Sequence, residues 1–347
     1  MNGVSAKLIV WIGNPFFYNE LEKCGFRVIY QPYKLGGFYT WQSILDLTGG
    51  EIPHLVLTAD ASVPPFLLGM ENFPCLTAFY AVDTHIHSWQ HIYAQAFDIC
   101  LVSLKDYLPL FARRLLDSSQ VWHFPPYARD ELRPPVAPVE KEWDLLFVGN
   151  MHKDCVPRRF AFLDAVGRKF PGLHCTTGNF ADFFPKSRLI LNECSYGELN
   201  FRVFEALGMG GCLLTPDIGP ALTEIFRPGA ELFTYPPYDV DALLELTLRL
   251  LADEDLRVRT ARAGLAALDA RHRASHRARD LSQKIRSLHD PGRGRELISK
   301  RLALAPALHK NFLLPLYLHH AENVEVPFMR ETFLAAAKGI NLPRQGL

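Results

Sequence analysis

The sequence predicts an α/β protein of two doubly wound domains, each built on a parallel sheet, that face each other across a cleft, with a helical C-terminal extension. Short apolar runs alternate with amphipathic segments along most of the chain, which is typical of a parallel sheet covered by helices on both faces. A proline-rich stretch interrupts this pattern, and the pattern then starts again. The 347 residues are enough for two domains of ordinary size.

The first half of the chain predicts an N-terminal domain over residues 1–135. Its apolar runs indicate buried strands at 8–13, 26–31, 55–58, 75–82, 99–103 and 121–124. Helical patterns lie between them, at 89–96 and 107–116. Three prolines in the stretch 133–138 exclude both a helix and an inner strand. We therefore predict an interdomain linker there.

The second half predicts a C-terminal domain over residues 140–290. Strands are expected at 144–149, 173–177, 188–194, 212–215 and 231–235, and helices at 158–170, 200–208, 221–226 and 240–252. A basic helical segment, 254–286, is predicted as a solvated face, the alternative being weak attraction to anionic lipid. Residues 291–347 form an extension whose apolar part, 302–318, is interrupted by two prolines. We expect this extension either to pack back on the first domain or to mediate oligomerisation.

Composition excludes several classes of protein. Acidic and basic residues balance at 37 each, which disfavours a nucleic-acid partner or any other polyanion. Seven cysteines without a C-x-x-C pair argue against a disulfide framework and for a reducing cytoplasm. The apolar runs fall far short of the roughly 18 residues that span a bilayer, and no signal-peptide pattern precedes them. We expect a cytoplasmic protein with at most peripheral membrane contact.

The most informative motif is the run 200–215 (NFRVFEALGMGGCLLT), which predicts a helix that opens after a strand. Arg202 and Glu205 are three residues apart and share one face of that helix. Free amides at the helix start attract phosphate, and Arg202 adds a planar fork of donors. Glu205 would repel an anion, so we expect it to accept hydrogen bonds from a ribose diol. The alternative is a surface Arg/Glu pair of little consequence.

A second candidate is the turn that follows the first strand of the C-terminal domain. Gly149 permits close backbone approach, Asn150 follows it, and Lys153 or Arg158 can neutralise a diphosphate leaving group. The alternative is a polar loop whose bases face solvent. Asn179 and Tyr196 lie at further strand ends, where a nucleobase or ribose could be held.

The third candidate is a cluster of Asp83, His85, His87 and His91, which follows an apolar strand of the first domain. The H-x-H-x-x-x-H spacing permits zinc, but strong zinc signals combine such spacing with a recognisable scaffold, so no metal site is predicted. An imidazole can take the proton from an acceptor hydroxyl, and a neighbouring aspartate can fix its tautomer. The alternative is that Asp83 caps the next helix and the histidines pack.

These motifs together resemble a known family. The run 200–215, with Gly219, 224–226 and 228–229 after it, resembles the donor-binding half of Leloir glycosyltransferases with the two-Rossmann GT-B fold. More narrowly, the N-x-R-x-F-E-A run before a glycine-rich turn resembles the CgeB-like (spore maturation protein) branch. Further stretches are similar to that branch in order and spacing: 80–87 (YAVDTHIH), 97–98, 105–107 and 143–150 (WDLLFVGN). The resemblance spans about residues 75–285.

The resemblance departs from the family pattern at one position. Many retaining relatives carry a glutamate eight residues before the one that matches Glu205, and here that position is Gly197, with Glu198 beside it. Either the register shifts by one residue or the sugar-contacting carboxylate is missing. The identity of the donor sugar therefore stays open.

The resemblance implies a metal-independent glycosyltransferase without a cofactor, which moves a sugar from a nucleotide diphosphate donor (UDP, GDP or TDP) to a glycan, a lipid-linked glycan or a protein hydroxyl. Asp83, His85 and His87 would serve the acceptor. The donor would be held by ten residues: Gly149, Asn150, Lys153, Arg158, Asn179, Tyr196, Glu198, Asn200, Arg202 and Glu205. Two alternatives remain at this stage, namely a nucleotide-sugar epimerase on the same fold and an inactive binding or assembly protein.

Overall fold

The computed structural model describes residues 6–289 and 292–339, and the chain divides into two compact units. Of the described residues, unit 1 contains 6–125, 278–289 and 292–339, and unit 2 contains Pro126–Arg277. The limits predicted from the sequence are 135–140 and 290–291, of which the second falls outside the described residues. The stretch 133–138 forms neither helix nor strand and belongs to unit 2.

Unit 1 is built on a parallel sheet of six strands. They are β1 (Leu8–Gly13), β2 (Arg27–Gln31), β3 (Leu55–Ala59), β4 (Leu76–Ala81), β5 (Ile99–Val102) and β6 (Val121–His123), in the order β2-β1-β3-β4-β5-β6. Every residue of β1, β3, β4 and β5 is buried, as expected of inner strands covered on both faces. Gly13 pairs with Ala59, and Ala59 pairs with Tyr80. The carboxyl ends of β1, β3 and β4 therefore lie side by side.

Short helices connect these strands. They are α1 (Tyr18–Lys23), α2 (Trp41–Thr48), α3 (Gln90–Tyr93) and α4 (Leu108–Phe111), with 3-10 turns at Met70–Asn72, Ala94–Ala96 and Lys105–Tyr107. The helix predicted over 107–116 is wrong beyond residue 111. The Gln95 side-chain carbonyl accepts hydrogen bonds from the amides of Leu115 and Leu116 (2.9 and 3.3 Å), and these bonds replace the helical partners that the two amides would otherwise need.

Unit 2 is built on a five-stranded parallel sheet. Its strands are β7 (Trp143–Val148), β8 (Leu173–Thr176), β9 (Ser187–Leu191), β10 (Leu213–Pro216) and β11 (Phe233–Tyr235), in the order β11-β10-β9-β7-β8. The helices are α5 (Pro157–Lys169), α6 (Phe201–Gly208), α7 (Pro220–Thr223), α8 (Val240–Ala252) and α9 (Glu254–Arg271), with 3-10 turns at Phe180–Asp182 and Phe184–Lys186. Asp239 and Asp253 cap α8 and α9 through their side chains. Since β7 and β9 are neighbours, the loops that follow them share one end of the sheet.

In the described part of the chain four helices follow α9: α10 (Ala274–His289), α11 (Arg293–Leu308), α12 (Leu314–Asn323) and α13 (Pro327–Ala337). A wide π-helical turn, His309–Leu313, joins α11 to α12. The chain stays helical across both prolines of the apolar stretch 302–318. Pro315 lies in the first turn of α12, where a missing N–H is tolerated, and Pro306 lies near the end of α11.

Arg301 on α11 fixes the C-terminal helices to the N-terminal sheet of unit 1. Its Nε donates to Asp98 Oδ1 (2.9 Å), and its terminal nitrogens donate to the carbonyls of Met70, Phe73 and Cys75 at 2.7 to 2.8 Å. Both partners of the ion pair are buried. The returning helices are therefore part of the core of unit 1.

Candidate active site

The guanidinium group of Arg202 lies at the carboxyl end of β7. Arg202 belongs to the first turn of α6, and its Nε donates to the carbonyl of Val148 (2.9 Å) while Nη1 donates to Asn192 Oδ1 (2.9 Å). Its central carbon is 4.9 Å from the centre of the Phe147 ring. Among the described residues Nη2 has no hydrogen-bond partner, so this donor is available to a ligand.

Gly149 makes room for that guanidinium. A Cβ atom at position 149 would stand 2.6 Å from Arg202 Nη2 and 3.1 Å from the Phe147 ring. Such distances are too short for any side chain to be added without moving Arg202. The sequence predicts that Gly149 lets a ligand approach the backbone. In the structure Gly149 instead leaves room for Arg202, the residue that we expect to bind the ligand.

A second guanidinium, that of Arg159, shares the Phe147 ring with Arg202. Its central carbon is 5.7 Å from the ring centre, and it forms a hydrogen-bonded ion pair with Glu193, which is 1% exposed. Burial, and after it the charge of Arg159, lower the pKa of Arg202. Two guanidinium groups thus lie close together at one end of the sheet; Glu193 offsets the charge of Arg159, whereas Arg202 forms no ion pair among the described residues and favours an anion.

The start of α5 adds to this positive field. Pro157 opens the helix, Arg158 and Arg159 follow in its first turn, and that turn holds no acidic residue. Cations at a helix N-terminus oppose the helix dipole, where an acidic residue would be stabilising. The sequence therefore places basic residues where they weaken the helix, which indicates that they serve a ligand.

Glu205 lies one turn after Arg202 on α6 and is half-buried. Burial raises the pKa of its carboxyl group to about 7, and the charges of Arg202 and Arg129 oppose that rise. Within the described chain its side chain accepts no hydrogen bond. An unpaired, partly buried acceptor beside a phosphate-binding group suits a polar ligand that brings its own donors.

Asn192 and Glu193 directly follow β9 and anchor the loop that leads to α6. Asn192 Oδ1 accepts from Arg202 and from Asn200 Nδ2 (3.2 Å), while its Nδ2 donates to Thr215 Oγ1 (3.0 Å). Asn200 precedes α6, yet its side chain does not cap the helix. The first amides of α6 therefore carry no side-chain cap and can bind an anion.

The other donor residues predicted from the sequence are more dispersed. Lys153 and Asn150 are exposed, and Asn150 Oδ1 accepts from the amide of His152 (2.8 Å). Asn179 is exposed and caps the short turn Phe180–Asp182. Tyr196 is 62% exposed, and its amide donates to Glu198 Oε2 (2.9 Å). The contacts of the described residues bring Gly149, Asn200, Arg202 and Glu205 together, but they do not join Lys153 or Asn179 to that group.

Three residues of the site were not singled out from the sequence: Asn192, Glu193 and Tyr238. Tyr238 follows β11, its hydroxyl donates to Glu193 Oε1 (3.1 Å), and the Arg158 guanidinium lies 4.3 Å from its ring centre. Asn192 and Glu193 had a usable signal, since they are polar residues directly after an apolar run. Tyr238 had none, because its partners lie more than forty positions away.

In unit 1, Asp83 lies in the loop after β4, at the carboxyl end of the sheet. Its carboxylate accepts a hydrogen bond from the hydroxyl of Ser62, a residue in the loop after β3. Asp60, only 3% exposed, accepts from the amides of Ser62, Val82 and Asp83 and from Gln90 Nε2, at 2.7 to 3.1 Å. The buried Asp60 therefore fixes both loops.

The histidines of this cluster have different surroundings. The His87 ring packs against Trp89 at 5.9 Å, and His91 packs against Phe111 at 6.5 Å, where burial lowers its pKa. Asp83 accepts from the amides of Ile86 and His87 through its backbone carbonyl, not its side chain. Across residues 6–289 and 292–339, no three His, Cys, Asp or Glu side chains group as a metal ion requires.

Comparison with known proteins shows that the sequence and the fold are similar to those of glycosyltransferases. Residues 139–283 match the family described as glycosyl transferase-like. Sucrose-phosphate synthase of Thermosynechococcus elongatus aligns with 82% of this chain and 99% of its own at 11% identity, with a TM-score of 0.56. Anabaena HepE, solved with UDP and glucose, aligns with 81% of this chain and 100% of its own at 10% identity and a TM-score of 0.57. No curated protein matches the sequence.

A third solved structure extends the likeness. An α-glucosyltransferase, solved with UDP and a DNA that contains an HMU base, aligns with 81% of this chain and 99% of its own at 12% identity and a TM-score of 0.57. At these identities the likeness establishes the fold. The predicted two-domain α/β GT-B fold is confirmed, and the family that matches residues 139–283 is described as glycosyl transferase-like. Neither the epimerase nor the inactive binding protein gains support.

Proposed function

We propose that unit 2 binds a nucleoside diphosphate sugar and that the protein transfers the sugar to an acceptor hydroxyl. The observation that carries this proposal is the pair of guanidinium groups, Arg159 and Arg202, on one Phe147 ring at the end of β7. Guanidinium groups bind phosphate oxygens through two parallel hydrogen bonds. The uncapped amides of α6 add donors from the same side of the sheet.

In this proposal, the positive groups of unit 2 act on the leaving nucleotide. When the bond between the anomeric carbon and the diphosphate oxygen breaks, the diphosphate takes the electron pair and its negative charge grows. Arg202, Arg159 and Arg158 stabilise that charge without a metal ion, since they are fixed before the reaction begins. Glu205 accepts hydrogen bonds from the two ribose hydroxyls, for which its unpaired carboxylate is suited.

We assign the acceptor side to unit 1. His85 or His87 takes the proton from the acceptor hydroxyl as its oxygen attacks the anomeric carbon, and Asp83 fixes the tautomer of the imidazole. The rigid hydrogen-bond network around Asp60 supports this role, because a base must be held in place to act. The acceptor is a hydroxyl of a glycan, a lipid-linked glycan or a protein.

The finer assignments follow from the sequence motifs and the relatives. We propose UDP as the nucleotide, since HepE and the α-glucosyltransferase were solved with it, and Glu198 as the carboxylate nearest the position that Gly197 leaves vacant. Lys153, Asn150, Asn179 and Tyr196 are proposed to reach the donor when it is bound. The N-x-R-x-F-E-A run supports a CgeB-like glycosyltransferase.

The cytoplasm is the proposed compartment. All seven cysteines are free thiols in the structure, as expected in a reducing environment. None of the helices in the described part of the chain is long and apolar enough to cross a membrane.

Calorimetric titration of the full-length protein with UDP tests the donor site. Replacing Arg202 or Arg159 with Ala is expected to weaken UDP binding by roughly 10- to 100-fold, because each substitution removes a charge-assisted contact to phosphate. Arg168→Ala is the matched control, since Arg168 pairs with Asp164 on the exposed face of α5 and should bind UDP like the parent. Equal affinity in all four proteins would remove the donor-site assignment.

The reaction itself is tested by incubating the protein with UDP-glucose and analysing the products with and without a mixture of glycan acceptors. A glycosyltransferase releases UDP and yields a glycosylated acceptor. An altered sugar still attached to UDP, formed without acceptor, would mean an epimerase instead.

A further inference from the structure

Tyr238 has an unusual backbone conformation for its residue type. Its φ angle is 62°, in the left-handed region that glycine and asparagine tolerate and bulky residues avoid. It lies in the connection between β11 and α8, at the carboxyl end of the unit 2 sheet. A turn with this backbone conformation does not require a tyrosine. We therefore attribute the presence of a strained tyrosine at position 238 to the contacts of its side chain.

The side chain of Tyr238 is held at both ends. Its hydroxyl donates to Glu193 Oε1 (3.1 Å) and lies 3.2 Å from the carbonyl of Ser195. Its ring packs edge-on against Phe162, at 5.8 Å between ring centres. The ring therefore has a fixed position relative to the loop that follows β9.

The free face of that ring carries Arg158. The guanidinium carbon is 4.3 Å from the ring centre, within the range of a cation–π contact. Arg158 is otherwise exposed, and a long exposed side chain loses much conformational freedom when it binds a ligand. Because Arg158 stacks on the fixed Tyr238 ring, its side chain is already restricted before a ligand binds.

A continuous chain of contacts joins Arg158 to the paired guanidinium groups. Tyr238 bonds to Glu193, Glu193 pairs with Arg159, and Arg159 shares the Phe147 ring with Arg202. Arg158 also stands beside Arg159 in the first turn of α5, where it opposes the helix dipole.

We propose that Tyr238 is a positioning residue that holds Arg158 as a third cation for the diphosphate. Its ring orients the guanidinium, and its hydroxyl ties the ring to Glu193 and Ser195. This inference rests on the proposed donor site in unit 2. It assigns to the strained tyrosine a task that neither a glycine nor an asparagine could perform.

Titration of the full-length protein with UDP tests this proposal through a double-mutant cycle. Arg158→Ala is expected to raise the Kd for UDP about tenfold. Tyr238→Asn and Tyr238→Gly remove the ring while suiting a positive φ, and each should raise the Kd about three- to tenfold. Tyr238→Phe keeps a ring for Arg158 and should retain most of the affinity. Thermal unfolding of each variant confirms that it is folded.

The cycle distinguishes a positioning role from a structural one. If Tyr238 acts through Arg158, adding Tyr238→Asn to Arg158→Ala changes the Kd by less than about twofold, because the two residues contribute one effect. Parental affinity in Tyr238→Asn and Tyr238→Gly, or losses that multiply in the double variant, would overturn the inference. Parental affinity in Arg202→Ala would instead overturn the donor site on which it rests.

Discussion

At the residue scale, Glu205 is proposed to bind the ribose, and the ionisation of its carboxyl group can be measured. Burial raises the pKa of its carboxyl group to about 7, so the group is mostly protonated at pH 6 and mostly ionised at pH 8. The ionised form accepts hydrogen bonds from the two hydroxyls of a ribose more strongly than the protonated form, because its oxygens carry the negative charge. The ionisation of this one side chain should therefore control nucleotide affinity near neutral pH.

We expect the affinity for UDP to rise about tenfold between pH 6 and pH 8, in step with the ionised fraction of Glu205. In Glu205→Gln the affinity for UDP should be lower than in the parent. The part of its rise with pH that comes from ionisation of residue 205 should disappear, because the amide does not ionise. Calorimetric titration of both proteins at pH 6, 7 and 8 measures the effect. A parent and a variant with parallel pH profiles would disprove the ribose assignment.

The same ionisation affects stability with a defined sign. The folded protein holds the Glu205 proton more tightly than the unfolded chain. Protonation of Glu205 therefore stabilises the folded state fully below about pH 4.5, and this stabilisation is lost as the pH rises through 7. Glu205→Gln should match the parent at pH 4 and exceed its unfolding free energy by about 1–2 kcal/mol at pH 8, after allowance for solvent screening. Urea unfolding at the two pH values measures the difference.

Gly149 offers a second test at this scale. Gly149→Ala places a Cβ 2.6 Å from Arg202 Nη2, so the guanidinium must move and UDP affinity should fall about tenfold. The control is Gly167→Ala in α5, where the nearest atom to a new Cβ is a Leu173 methyl at 3.9 Å. That substitution should leave UDP affinity unchanged and stabilise the helix by about 0.5–1 kcal/mol. Unchanged affinity in Gly149→Ala would contradict the packing described.

The sequence could predict the site residues that lie within one motif. Arg202 and Glu205 share a helix face and Gly149 follows a strand, so local pattern was sufficient to single them out. Asn192, Glu193 and Tyr238 acquire their roles from partners between 10 and 45 positions away. The polar residues after β9 could have been chosen as candidates from the sequence, but the partners of these three residues could not have been predicted from it.

At the element scale, the loops after β3 and β4 are held by one buried carboxylate. Asp60 accepts from three backbone amides and from Gln90. Asp60→Ala leaves these donors unpaired and should lower the unfolding free energy by about 3 kcal/mol. Amide exchange at 82–83 should also accelerate strongly. Asp46→Ala, at an exposed side chain on α2, is the control, and an equally small effect of both substitutions would contradict the role of Asp60.

The elements themselves were predictable to different degrees. Inner strands were found within a few residues, because burial on both faces produces continuous apolar runs. The helix predicted at 107–116 ended early, because Gln95 captures the amides of Leu115 and Leu116. A side chain from another element thus overrode a local helical pattern.

At the scale of the whole molecule, the alternation of strands and helices was sufficient to predict two parallel-sheet domains. For the C-terminal segment the sequence left two alternatives open, packing on the first domain or oligomerisation, and could not decide between them. Arg301 and Asp98 anchor that segment in unit 1 and are 203 positions apart. The local sequence around each residue does not indicate that the two residues pair.

This anchor should dominate the stability of unit 1. Arg301→Met leaves Asp98 and three backbone carbonyls without their donor, and the unfolding free energy should fall by about 3–5 kcal/mol. Arg293→Met, at an exposed pair on the same helix, should change it by less than about 1 kcal/mol. Chemical unfolding of both variants measures this contrast, and a loss under 1 kcal/mol in Arg301→Met would contradict the anchoring role.

We propose above all that unit 2 holds a nucleoside diphosphate at the carboxyl ends of β7 and β9. A crystal structure of the full-length protein with UDP tests it most directly. We expect the diphosphate within hydrogen-bond distance of Arg202 and Arg159, and the ribose hydroxyls on Glu205. UDP bound elsewhere, with these three side chains free of it, would contradict the account.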